Sequence, residues 1–563
     1  MRTLRLPAAL AAVALIATAC SDEGGDSGSS GYPRNETLYT TGTAWDPPTN
    51  WNPIMRGQYA VGTFGLAYEP LFHYDAEAND YVHWLAESDE WPDESTHVIT
   101  LRDGMTWTDG EAIDAEDVVT TIELGQMDVF YSNIWDYVEG VEATGDLEVT
   151  VTFSDPRPQE WMNWAFGTPI VPEHIWADKS QEELTDDPNA EPVGSGPYVY
   201  EAHADDRMVW KRNDDWWGAE AHGLEMQPTY IVDVVNASNE VTMNMLSNGE
   251  VDLSNNFLPG IEQSIDAGQL TSFYDGPPYM QSANTAWLVV NHDHPALGDA
   301  EFRKALAHAI DLDQIISGPY SDLVDGANPT GLLPQWDAYI DHELVEEEGH
   351  TYNPDESVAL LEDAGYMDDD GDGYVETPDG EPISLTLEVP GGWSDWEEAA
   401  RVIAENAQEV GIDIQTNFPD FGLLVDNRNA GEFDIVINNE RQLSNTPWSY
   451  YDYLFQLPVR DSQTTVNFGR YENEEAWELV EELATVPADD VEGAAEVTSR
   501  IQEIQLAELP AIPLWYNGLW SQQSNDVWTN WPSESGYSGY ATMWDGWFQL
   551  GAIRTLAEIE LAE

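Results

Sequence analysis

Acidic side chains outnumber basic ones by 106 to 19 in this 563-residue chain, a formal net charge of −87. So much like charge opposes compaction unless apolar burial outweighs it or salt screens it. Disorder is the obvious rival, but 42% of the residues are apolar and 11% aromatic, spread along the whole length. A folded protein facing a salty medium, of the kind a halophile makes, is expected. The same field repels phosphate backbones and anionic membrane surfaces, and only Lys179, Lys211 and Lys304 supply lysine. Nucleic acid is therefore excluded as a partner. Stability must come from burial, which a chain this long can supply over more than one domain.

The single cysteine, Cys20, leaves no disulfide to help. Ahead of it run Met1-Arg-Thr-Leu-Arg5 and an apolar stretch from Leu6 to Ala19, ending Ala17-Thr18-Ala19. Behind it lies the Gly- and Ser-rich segment Ser21 to Gly31. A positive start, a short apolar run and small residues before a cut describe a secretory signal, too short to span a bilayer. The cysteine at the cut resembles a bacterial lipoprotein box. The expectation is a signal peptide over 1–19 and a lipid-anchored flexible linker over 20–34. The chain would then sit on the extracellular face of the membrane, held only by lipid on Cys20. A plain secretory signal with an incidental cysteine is the alternative.

Strand-like and helix-like runs alternate along the rest. Val98 to Leu101 and Leu147 to Phe153 alternate as strands do. Asp114 caps a helical pattern running to Glu123, Ala300 to Ile310 puts Phe302, Leu306, Ala309 and Ile310 on one face, and Asn353-Pro354 opens another helix. Ala399 to Val410 reads as a helix leading into a strand at Gly411 to Gln415. The mixture points to α/β lobes around twisted sheets.

Several stretches together carry a family likeness. They are Leu101-Arg-Asp-Gly-Met-Thr-Trp107-Thr-Asp109-Gly110 with Ala115-Glu-Asp-Val118, Gly194-Ser-Gly-Pro-Tyr198, Asn213-Asp-Asp-Trp216-Trp217, Phe302-Arg-Lys-Ala-Leu306 with Ala309-Ile-Asp311, Gly365-Tyr366, and Leu509-Pro-Ala-Ile-Pro513-Leu-Trp515. In number and order they resemble family 5 extracellular solute-binding proteins, the receptors for peptides, nickel and oligosaccharides that feed ABC importers. The resemblance implies a two-lobed periplasmic-binding-protein fold with hinge strands and the ligand enclosed between lobes. It implies lobe I over 35–282 plus 518–563, with an extra subdomain at about 60–190, and lobe II over 284–517. Trp107 then reads as scaffold. The implied partners are a permease and its ATPase subunits; a monomer with no organic cofactor is expected.

Within that family, Thr49-Asn-Trp51-Asn52-Pro53, Gly392-Trp393-Ser-Asp395-Trp396 and Leu514-Trp515-Tyr516-Asn517-Gly518 resemble the branch that binds β-linked oligosaccharides such as cello-oligosaccharides. The 24 tryptophans and 25 tyrosines agree with that branch. Indole faces stack on the apolar face of a pyranose, while Asn, Asp, Glu and Arg pair with its hydroxyl rim. The candidate platforms are Trp51, Trp393, Trp396 and Trp515, with Asn52, Asp395, Tyr516 and Asn517 as neighbours. Ser238 and Asn239 are candidates too, although a simple helix N-cap explains them more readily. Glu440 and Arg441 follow the apolar run Phe433 to Ile437, where a strand end favours ligand contact and a surface ion pair is the alternative. The same fold with a peptide in the cleft stays open.

A second site is legible without any family. Asp368, Asp370 and Asp372, with Tyr374 offering its carbonyl and Asp379 closing, match an EF-hand-type calcium loop. It would be a structural staple; an acidic surface turn is the alternative. Enzyme readings find little. His342-Glu343 lacks the second histidine of a zinc motif, because residue 346 is Glu, and no Walker loop occurs. A secreted glycoside hydrolase is the remaining rival, since no acid pair can be singled out among 106 acids.

Overall fold

A computed structural model describes residues 31–55, 59–76, 78–127, 133–439, 443–535, 547 and 549–563. The expected signal segment with Cys20, and the pair Glu440–Arg441, lie outside the described residues. No helix among the described residues is long and apolar enough to cross a membrane.

Two sheets organise the molecule. The first has six strands in the order Gln522–Gln523, Leu253–Ser254, Thr37–Thr41, Tyr230–Val234, Arg207–Arg212 and Tyr198–Ala204. Its three middle strands, Leu253–Ser254, Thr37–Thr41 and Tyr230–Val234, run parallel. The second has five strands in the order Ile414–Asn417, Leu385–Glu388, Ile435–Asn438, Ser282–Val290 and Ala511–Gly518. Only Ser282–Val290 runs against the others. All of its residues but the first are buried, as are all of Ala511–Gly518. Each sheet centres one lobe of a mixed α/β fold, and an apolar core containing both Val232 and Leu288 continues between them.

A third, antiparallel sheet belongs with the first lobe. Ala86–Asp93, Thr96–Leu101, Glu148–Phe153 and Val138–Gly145 form it in that order, backed by the helix Ala115–Leu124. Thr96–Leu101 buries alternate residues, as its pattern predicts. Asp114 caps the helix in a capping box with Asp117, and Asp117 also accepts the indole N–H of buried Trp107. This stretch is scaffold.

The Gly-Ser-Gly-Pro-Tyr stretch works by close approach. Gly196 N donates to Ala67 O and Tyr198 N to Leu66 O. A Cβ at Gly194 would lie 1.9 Å from Ala67 O, and one at Gly196 would lie 2.2 Å from Leu66 O. Beside this contact, buried Glu69 accepts indole N–H bonds from Trp84, Trp216 and Trp217. The Trp216-Trp217 pair thus ties a buried carboxylate.

Two expected boundaries shift. The helix read from Ala399 begins at Ser394 and runs to Glu409. Its start carries no side-chain N-cap; instead Glu397 reaches back to accept Gly392 N. The following strand forms at Ile414–Asn417 rather than 411–415, because Gly411 adopts φ +90° and Ile412 N still bonds Ala407 O to close the helix. Gly196→Ala is expected to lower unfolding free energy by roughly 2–4 kcal/mol, since backbone must move to admit the methyl group. Chemical denaturation measures it.

Candidate functional site

The lobes meet through chain just beyond the ends where their parallel strands Tyr230–Val234 and Leu385–Glu388 finish, the usual place for ligands in open α/β sheets. On the first lobe these ends carry Asn236, Asn239, Asn255 and Asn256; on the second, Asn284, Asn438, Asn439 and Asn517. All eight are buried. In a chain this acidic, the facing ends carry a concentration of neutral amides, which both donate and accept.

The lobes touch beside these residues. Asn239 N donates to Gly392 O at 3.2 Å, and its side-chain Nδ2 donates to Asp395 Oδ1 at 2.9 Å. Asn256 Nδ2 donates to Asn239 Oδ1 at 2.8 Å. Gly392 has φ +91°, and a Cβ there would lie 2.8 Å from Ala237 O. The backbones meet with no room for a side chain. Burial pushes the Asp395 carboxyl up to about 6 despite the Asn239 amide.

An aromatic chain runs through the same boundary. Trp45 of the first lobe lies 5.0 Å from Trp393, which stacks on Phe421 at 5.9 Å and meets Trp396 edge-on at 4.9 Å. Trp396 approaches Trp515 at 6.2 Å, and Trp515 packs on Tyr320 at 5.0 Å. Trp393 is only half-buried and its indole nitrogen has no partner. Trp45, Trp393 and Phe421 are the half-buried members of this aromatic chain, the ones that keep some surface.

Other expected site residues have different work. Trp51 is buried in the first lobe, donating to Met208 Sδ and packing on Tyr200 and His203. Asn52 donates its amide to Leu184 O and Asp187 O. Neither keeps a polar group for a ligand. Ser238 is the helix N-cap, accepting from Val241 N, and Asn239 joins lobe to lobe. Trp396 and Trp515 are 3% and 0% exposed, in the core rather than on a loop. Tyr516 OH bonds Leu332 O and Asn328 N, and burial pushes it up to about 12. Asn517 does lie at the facing end, accepting from Trp520 Nε1. Glu440 and Arg441 are outside the described residues.

The acidic loop gathers a different set from the expected one. Oxygens of Asp368, Asp370, Asp372 and Glu376 lie within 4.8 Å of one another. Asp379 is not among them: it sits in the exposed turn where Gly380 N bonds Thr377 O. Glu376 lies under the loop and accepts from Asp369 N at 2.8 Å. The chain folds back at Gly371 and Gly373, both at positive φ, which brings the ninth loop residue inward in place of the twelfth.

The sequence pattern of the bacterial extracellular solute-binding proteins, family 5 Middle, matches residues 80–459. The chain belongs to this family. It is a solute-binding receptor of an ABC importer, and receptors of this family are not enzymes. The family 5 fold extends to solved structures. A mannohexaose-bound periplasmic oligopeptide-binding protein of an oligopeptide ABC transporter from Thermotoga maritima superposes with a TM-score of 0.91 at 40% identity, covering 94% of this chain and 99% of that one. The oligopeptide-binding protein AppA of Bacillus subtilis is 22% identical over 77% of this chain and 82% of its own length. The nickel-binding periplasmic protein of Escherichia coli is 22% identical over 70% of this chain and 74% of its own.

The raised Asp395 carboxyl sets a pH dependence for this family 5 receptor. The folded state keeps the proton up to about 6, whereas the ordinary value is 3.8. Stability present below pH 3.8 is therefore lost as pH rises through about 6. The loss amounts to about 3 kcal/mol. Asp395→Asn is expected to remove that slope, measured as unfolding free energy against pH in high salt.

Proposed function

We propose that this receptor captures β-linked, uncharged oligosaccharides of the cello-oligosaccharide type and delivers them to its importer. The observation that carries the reading is the mannohexaose held by the Thermotoga maritima protein, 40% identical over nearly the whole chain. The buried asparagines at the facing strand ends and the half-buried Trp393 support it, because they pair neutral hydrogen-bonding groups with an aromatic face. Capture works by closure. A sugar docks between the open lobes, and the closed arrangement is favoured by the contacts it alone completes. A peptide ligand is the second reading, favoured by the likeness to the Bacillus subtilis protein.

Titration calorimetry in high salt with mannohexaose, cellohexaose and a nonapeptide tests this. Heat and tight binding are expected with a hexasaccharide, with no cleavage products afterwards. Binding of the peptide alone overturns the reading. Trp393→Ala is expected to weaken sugar binding by on the order of 1–3 kcal/mol, by analogy with the loss of an aromatic stacking partner for a nucleobase.

Lipid on Cys20, adaptation to salt and a calcium staple complete the proposal. The charge of −87 supports the second: melting temperature is expected to rise steadily from low to molar salt. The gathering of Asp368, Asp370, Asp372 and Glu376 supports the third. A melting temperature raised by calcium in wild type but not in Asp370→Ala checks it, with differential scanning fluorimetry as the readout.

A further inference from the structure

The second lobe carries a group of buried polar atoms that its own fold leaves unpaired. The segment from Leu443 to Tyr450 is fixed along the start of the Ser282–Val290 strand at both ends. Leu443 N donates to Ala283 O at 3.1 Å, and Thr285 N donates to Tyr450 OH at 3.1 Å. Ser444 is held in turn, accepting from Trp336 Nε1 through its carbonyl and donating through Oγ to Thr446 O. Between these anchors, Asn284 Nδ2, Thr446 Oγ1, Trp448 Nε1 and Ser449 Oγ are buried without a hydrogen-bond partner. Their residues are 1%, 0%, 6% and 9% exposed. Asn284 Oδ1 accepts from Asn439 Nδ2 at 3.4 Å, which fixes the Asn284 amide with its donor side free.

A buried polar atom left unpaired costs about 1–3 kcal/mol, and native structures hold few of them. Four on residues that flank these two anchoring bonds call for a partner. Their place gives its direction. The group sits where Ser282–Val290 begins and the parallel strands Leu385–Glu388 and Ile435–Asn438 finish, the end that faces the first lobe. Their chemistry gives its class. Trp448 and Asn284 present donors, Thr446 and Ser449 present hydroxyls that give and take, and none of the four bears charge. A sugar rim of alternating hydroxyl donors and acceptors matches this set. A carboxylate or ammonium group would meet no opposite charge among these four.

We propose that Asn284, Thr446, Trp448 and Ser449 form a hydroxyl-reading subsite on the second lobe. This rests on the oligosaccharide reading and adds the residues that select an uncharged, polyhydroxylated unit. The subsite is separate from the Trp393 stack: one holds the apolar face of the ligand, the other its edge. Because the unpaired atoms burden the free protein, deleting one should leave the unliganded fold as stable or more so while weakening binding.

The experiment uses the full receptor in high salt, with mannohexaose and cellohexaose as probes. Trp448→Phe keeps an aromatic ring and removes the N–H; Ser449→Ala removes one oxygen and disturbs packing least. Each is expected to lower affinity on the order of tenfold, with the unliganded melting temperature unchanged or raised. Wild type that binds neither sugar overturns the functional reading and this subsite with it. Wild type that binds sugar while Ser449→Ala binds as tightly, with Trp448→Phe also unchanged, overturns the subsite alone and assigns the four atoms to ordered water. A lowered unliganded melting temperature with unchanged affinity overturns it as well, making the groups structural.

Discussion

Everything functional in this molecule depends on one pairing, that of the Ser282–Val290 and Ala511–Gly518 strands. Their register runs from Ser282 opposite Gly518 to Val289 opposite Ala511. Beyond Gly518 the chain reaches Gln522–Gln523, which pairs in the sheet of the first lobe. Asn284 and Asn517 sit opposite each other at the end where the chain changes lobe. The hinge and the floor of the candidate site are thus made by the same hydrogen-bonded ladder. That ladder is buried on both strands and is interrupted by register shifts between Ser282 and Asn284 and between Ala286 and Trp287.

Charge is handled in two ways around this frame. Most acids of the described residues lie at least partly on the surface. Several of those inside are driven toward the protonated form: burial pushes Glu69 and Asp233 each up to about 7, and burial together with nearby Asp452 pushes Glu160 up to about 8 against the pull of Arg157. At the facing strand ends amides replace most carboxylates. The carboxylates that remain there, Asp395 and Glu388, are buried and accept from the amides of Asn239 and Asn417.

Much of the fold was legible in local signals. Asp114, Asn353-Pro354 and Gly365 mark helix ends where the helices do begin and stop, and the alternation of Val98 to Leu101 marks a real strand. Motif order led to the family. The site was legible only in part. Tryptophans attract attention in a search for sugar platforms, yet Trp51, Trp396 and Trp515 serve the core, because a large apolar side chain is buried more readily than it is displayed. Of the asparagines, Asn239 and Asn517 were singled out but Asn438 and Asn439 were overlooked, although they follow the apolar run Ile435-Val436-Ile437, the mark of a strand about to end. Asn284, Trp448 and Ser449 could not be grouped from the sequence, since the long-range bonds from Leu443 and Tyr450 bring them together.

The contact at Gly392 has a mechanical consequence. Main chain comes close to main chain there, with the Ala237 carbonyl and Ser238 on the other side. Any side chain at 392 would have to push the Ala237 carbonyl away, so the lobes could not then meet as they do here.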